Sequence, residues 1–144
     1  MQKYKDEIIP SRYAVCQFTD CPMAKSCLRQ IAYQLLLDNE DENCLLLLKP
    51  RFCSKDGNCS YYRDCNPVLF AKGFTNFQKK MYPSQYQLFM MRLKGKFGRN
   101  SYFMRRRGES LLSPEEQKFI LDTLKQVGVT EDMTFDAYVE KIYW

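Results

Sequence analysis

Apolar residues recur at three- to four-residue intervals in four stretches of this chain, and each such stretch predicts a helix. Between Met23 and Leu37 the stripe is Leu28, Ile31 and Leu35, with Ala32 and Leu36 beside it. Pro22 suits the first turn of that helix. From Ser84 to Leu93 the apolar positions are Leu88, Phe89, Met91 and Leu93. Ser113-Pro114-Glu115-Glu116 is a helix start with an N-cap serine, a first-turn proline and a capping-box glutamate. Ile120, Leu124 and Val127 continue it and Gly128 ends it. From Phe135 to Tyr143, the residues Phe135, Tyr138, Val139 and Ile142 fall on one side of a last predicted helix.

Extended segments are fewer. Tyr13-Ala14-Val15-Cys16 has a short β-like pattern. Cys44-Leu45-Leu46-Leu47-Leu48, ended by Pro50, reads as a buried strand, with Cys44 in the core; a short apolar run also fits a helix segment. Asp38 to Asn43 is an acidic, polar loop, and Lys55-Asp56-Gly57-Asn58 is a turn signal. Cys65-Asn66-Pro67 resembles a second helix start.

The cysteines change the picture most. Cys16, Cys21 and Cys27 follow C-x4-C-x5-C, and Cys53, Cys59 and Cys65 follow C-x5-C-x5-C. The two triplets form a weak internal repeat: extended segment, cysteine, polar turn, cysteine, then a cysteine near a helix. Thiols grouped in this way hold a metal, pair as disulfides or pack as small buried hydrophobes. With no histidine in the chain, a metal would be held by thiolates or carboxylates. Zinc on Cys16, Cys21, Cys27, Cys53, Cys59 and Cys65 is the leading expectation, and an iron–sulfur cluster is the alternative cofactor. Lys25, Arg29, Lys55 and Arg63 lie nearby and would favour thiolates.

Composition sets the frame for this. The chain has 144 residues, 45% of them apolar and 15% aromatic, enough for one core or two small ones. The division expected is a cysteine-rich module over 1–72 and a helical module over 73–144, with a boundary between Gly73 and Pro83. The fold class expected is mainly α, with a small α/β cysteine-rich N-terminal module and a helical, helix-turn-helix-like C-terminal half. The longest apolar run is too short to span a bilayer, and the N-terminus has no apolar signal region. No membrane association and a reducing cytoplasm are therefore expected, where clustered cysteines more often bind metals than form structural disulfides.

The formal charge of +5 is spread unevenly. Arg92, Lys94, Lys96, Arg99, Arg105, Arg106 and Arg107 occur with no acid among them. Together with Gly98-Arg99-Asn100, the helix end Arg107-Gly108-Glu109, the entry Leu112 to Glu115 and the exit Leu124 to Val129, this stretch resembles the helix-turn-helix core of phage-repressor-type (Cro-like) domains over residues 84–129. The resemblance implies a recognition helix from Asn100 to Arg107, with Arg99, Asn100, Ser101, Arg105, Arg106 and Arg107 contacting DNA. Arg105 departs from the family pattern, which has an apolar residue there. Three consecutive arginines also fan over about 200° of a helix, so they cannot all face one groove. Tyr102 and Phe103 read as core. A solvated basic segment paired with the acidic tail (Glu131, Asp132, Asp136, Glu140) explains the same charges.

The whole chain also resembles an uncharacterised family of small cysteine-rich Bacteroides-type proteins ending in Phe-Asp-x-Tyr, here Phe135-Asp136-Ala137-Tyr138. That resemblance implies no function. No phosphate-binding glycine loop and no Ser-His or Cys-His pair is present, so no enzyme activity is expected. The leading expectation is a cytoplasmic DNA-binding regulator with a structural metal module. In a variant of that reading the module makes a homodimer. The alternatives are a redox or metal sensor and a structural, partner-binding protein.

Overall fold

The computed structural model describes residues 4, 6–40, 44–54 and 56–144. The chain divides into two compact units. The first comprises residues 1–67 with Ile142–Trp144, and the second comprises Val68–Lys141. Among the described residues the architecture is mixed: four α-helices and a two-stranded antiparallel sheet, with short 3-10 turns.

In the first unit, α1 spans Leu28–Leu37. The helix expected from Met23 is interrupted at Cys27, which is extended (φ −98°, ψ 117°). A bridge across the chain accounts for this. Leu28 N donates to Arg63 O at 2.8 Å and Cys65 N donates to Ser26 O at 3.0 Å, drawing Cys27 out of helical geometry. Only a 3-10 turn, Ala24–Ser26, precedes it. Leu28, Ile31, Tyr4 and Ile142 form the core of this unit, with Leu35, Cys65 and Trp144 packed against it.

The strand expected at Cys44–Leu48 is reduced to one parallel bridge, Leu47 to Val15. Leu46 and Leu47 are exposed, so the run has no buried face, and Cys44 is exposed rather than core. Short partners explain it: Val15 offers only two backbone bonds, to Leu46 O and from Leu48 N. Residues 41–43 of the acidic loop and Lys55 of the turn lie outside the described residues.

In the second unit, β1 (Val68–Lys72) pairs with β2 (Ala137–Lys141), in register from Val68 opposite Lys141 to Lys72 opposite Ala137. This corrects two expectations. Cys65-Asn66-Pro67 starts no helix; Asp64 Oδ1 accepts from Asn66 N at 3.0 Å, and the turn so made feeds β1. The final predicted helix is β2. Nine residues make a marginal helix alone, whereas Tyr138 and Val139 suit a strand once β1 supplies ladder partners.

Three helices complete this unit. They are α2 (Pro83–Phe97), α3 (Arg99–Arg107) and α4 (Pro114–Gln126). Of these, α3 and α4 pack on β1, and α2 packs on α3 and α4. α2 begins one residue before the expected Ser84 and runs on past Leu93. Gly98 (φ +83°) alone separates α2 from α3, where a three-residue turn through Asn100 was expected. The start of α4 follows the sequence signal: Ser113 Oγ accepts from Glu116 N, and Glu116 Oε2 accepts from Ser113 N at 3.1 Å. The core gathers Phe74, Phe77, Phe89, Leu93, Tyr102, Leu112 and Ile120, all fully buried. Phe74 is its hub, with ring centroids 5.7 Å from Phe77, 6.2 Å from Phe89 and 5.9 Å from Tyr102.

Candidate functional site

Backbone pairing at two places laces the cysteine triplets together. Val15, just before Cys16, donates to Leu46 O at 2.8 Å and accepts from Leu48 N at 2.9 Å, upstream of Cys53. Cys27 bridges Asp64, next to Cys65. As a result Cys16, Cys21, Cys27, Cys53 and Cys59 line one cavity of about 20 Å³. That space holds one water-sized body. Cys65 lies apart from it, packed against Tyr4, Leu28, Ile31 and Ile142.

Cys16 Sγ and Cys53 Sγ are 3.9 Å apart, well beyond the disulfide length of about 2.05 Å. All seven cysteines are free. Cys53 Sγ also lies 3.8 Å from Lys49 O. Burial pushes the Cys53 thiol up to about 11, and the nearby thiols of Cys16, Cys59 and Cys21 push the same way. At Cys53 burial and the neighbouring thiols thus act in the direction opposite to that expected of nearby cations. Among the described residues, no three His, Cys, Asp or Glu side chains already stand as a metal-gripping group. The thiols share a cavity without sharing a centre.

Among the described residues Arg29 is the cation on the cavity wall, and the structure uses it as a brace. Its Nε donates to Tyr61 O at 2.8 Å and its Nη1 to Ala14 O at 2.5 Å. Its guanidinium also lies 4.9 Å from the Tyr13 ring centroid and 5.8 Å from that of Tyr61. This brace is invisible in the sequence, because its acceptors are backbone carbonyls 15 and 32 residues away.

In the second unit, the six residues expected to touch DNA divide into three groups. Arg99 and Asn100 are exposed at the head of α3. Ser101 and Arg105 are half-buried and bonded to each other, with Arg105 Nη1 donating to Ser101 Oγ at 2.8 Å. Arg105 also donates to Glu116 Oε1 at 2.8 Å and covers the Phe97 ring at 4.7 Å. Arg106 and Arg107 form the third group. Arg106 Nη2 donates to Gln78 Oε1 at 3.0 Å, and Arg107 pairs with Glu109 through bonds of 2.7 and 3.2 Å. Nearby, Lys94 Nζ sits 5.0 Å from the Phe103 ring and Lys96 Nζ 5.5 Å from the Phe119 ring.

The acid of the Phe-Asp-x-Tyr segment has a structural task. Asp136 Oδ2 accepts from Thr75 N at 2.9 Å and Thr75 Oγ1 at 2.7 Å, and Oδ1 accepts from Asn76 at 3.2 Å. The Tyr138 hydroxyl accepts from Phe135 N at 3.2 Å, closing the segment on itself.

The chain belongs to a family of unknown function, DUF6078, whose family model matches residues 1–144. No curated protein and no solved structure matches it. Among the described residues, no helix is long and apolar enough to cross a membrane.

Proposed function

We propose that this chain is a non-enzymatic binding protein whose first unit is a metal-holding thiol module. One observation carries the reading: five of the six triplet cysteines line a single cavity. Soft thiol donors in one small space suit zinc or iron, and a reducing compartment keeps them free to bind. The test is elemental analysis with an absorption spectrum on tag-free protein purified without oxygen. Colourless protein carrying zinc supports a structural module. Brown, iron-bearing protein supports the sensor alternative. Metal-free protein with freely titrating thiols overturns the metal reading.

A second reading concerns the second unit, where no acid occurs from Cys65 to Gly108. Arg99 and Asn100 are exposed at the head of α3, near Lys94 and Lys96, and this favours nucleic-acid contact through that corner. Helix-turn-helix docking of α3 in a DNA major groove is the finer version of this proposal. The comparisons add nothing for or against it. Duplex DNA titrated at two salt concentrations tests it. Salt-sensitive binding weakened by Arg99→Ala supports the corner, and binding unchanged by Arg99→Ala with Asn100→Ala overturns it.

A further inference from the structure

We infer that one tetrahedral divalent ion of the zinc class is held by Cys16, Cys21, Cys53 and Cys59, two thiols from each triplet, while Cys27 and Cys65 serve the fold. This assignment rests on the metal reading above and makes it specific in ligands and stoichiometry.

Spacing and distance carry it. Zinc–sulfur bonds of about 2.3 Å in a tetrahedron set sulfur–sulfur edges of about 3.8 Å. Cys16 Sγ and Cys53 Sγ, 37 residues apart in sequence, are 3.9 Å apart. One edge of such a tetrahedron therefore already exists, and it joins the first cysteine of each triplet. Cys21 and Cys59 are the second cysteines, and both line the same cavity. A turn separates each from its partner. One passes through Thr19 and Asp20. The other passes through Asp56 and Gly57, with Asp56 Oδ1 accepting from Asn58 N at 3.0 Å. Two short loops thus offer two thiols each, the arrangement of a four-thiolate structural site.

The third cysteines are placed differently. Cys27 also lines the cavity, but its backbone is fixed by the bridge to Asp64 and by the cap of α1, where its carbonyl accepts from Gln30 N and Ile31 N. Cys65 is packed beside Leu28 and Ile142, off the cavity. The cavity of about 20 Å³ has room for one ion among these thiols. Since no three ligands are yet placed together, the ion would draw Cys21 and Cys59 inwards. Each ligand binds as a thiolate, any thiol proton passing to the solvent as its metal–sulfur bond forms, so that four of them on a divalent ion leave a dianionic centre. Arg29, braced on the same wall, offsets part of that charge.

The experiment is zinc content of the full chain and of six single variants, each cysteine of the triplets changed to serine. A cobalt-substituted sample of the unaltered chain is measured alongside, and its thiolate-to-cobalt absorption counts ligands even if a variant fails to fold. The expected result is one zinc per chain and a four-thiolate tetrahedral cobalt spectrum. Cys27→Ser and Cys65→Ser keep the ion, and the other four variants lose most of it. Two ions per chain, a three- or six-thiolate spectrum, or loss of the ion in folded Cys27→Ser or Cys65→Ser overturns this ligand set and leaves the metal reading standing. No zinc or cobalt uptake by the unaltered chain overturns both.

Discussion

Arg105 and Glu116 join the last turn of α3 to the first turn of α4 through two hydrogen bonds to one oxygen, 2.8 and 3.3 Å long. The other Glu116 oxygen closes the capping box on Ser113. One carboxylate therefore starts α4 and ties it to α3. The arginine that breaks the apolar pattern of repressor-type helices is accounted for by this tie and by its cover over Phe97.

Arg105→Ala is expected to destabilise the second unit by about 1–3 kcal/mol, through lost charge-assisted hydrogen bonds and lost packing of the stem. Arg107→Ala is expected to leave the thermal midpoint unchanged, because the Arg107–Glu109 pair is exposed. Thermal unfolding of the two variants side by side checks this. Equal shifts would mean that the Arg105 tie is no stronger than a surface pair.

Gly73 and Gly98 both have positive φ, +78° and +83°, but differ in their surroundings. A Cβ at Gly73 would lie 2.8 Å from Asp136 Oδ2 and 3.3 Å from Arg106 O, while one at Gly98 meets nothing within 4 Å. Gly98→Ala is expected to cost about 1–3 kcal/mol, the conformational penalty alone, because φ +83° with ψ 159° is a region open essentially to glycine. Gly73→Ala is expected to cost more, because the new methyl also disturbs the carboxylate that holds Thr75 and Asn76. Denaturant midpoints that rank the two variants the other way would refute the account.

The Tyr102 hydroxyl is buried with no hydrogen-bond partner. Burial, with Tyr86 nearby, pushes its ionisation above the ordinary tyrosine range. The folded state therefore holds the phenol proton more tightly than the unfolded state does. The stabilisation is complete below about pH 10 and fades as pH climbs from there towards the raised folded value. Tyr102→Phe is expected to preserve or slightly raise stability at neutral pH, by up to about 1 kcal/mol, since an unsatisfied hydroxyl is removed. It is also expected to flatten the loss of stability at alkaline pH. Urea unfolding at neutral pH and above pH 10 reads both effects. An alkaline slope equal to that of the unaltered chain would count against the buried phenol.

Asp136→Ala is expected to loosen the segment after β1, because three hydrogen bonds to Thr75 and Asn76 are lost together. Amide exchange at Thr75 should accelerate before that of the α4 interior. Unchanged protection at Thr75 would show that the carboxylate is dispensable there.

Helix signals written in neighbouring residues were legible. Ser113, Pro114 and Glu116 specify the start of α4 through contacts within three residues, and Gly108 ends α3 in a left-handed conformation. What failed was decided at long range. Val139 sits in a strand because Phe70, 69 residues earlier, lies opposite it. Cys27 leaves the helix because Arg63 and Cys65 bond on either side of it. The grouping of the cysteine triplets was legible from their spacing, yet the separation of Cys65 from the rest was not. It depends on Tyr4 and Ile142, at opposite ends of the chain, packing in one core. Likewise the arginines read as one basic run, while their fates were set by Glu116, Gln78 and Glu109.

The core of the first unit is completed by Ile142, which follows the whole of the second unit in the chain. During synthesis from the N-terminus, every residue of Val68–Lys141 emerges before Ile142 does. The usual order, in which the N-terminal domain folds first, would here have to proceed without Ile142. The inner unit has all of its own residues while the outer one still lacks part of its core. Until Ile142 emerges, the thiol-rich segment stands on a nascent chain with its core incomplete.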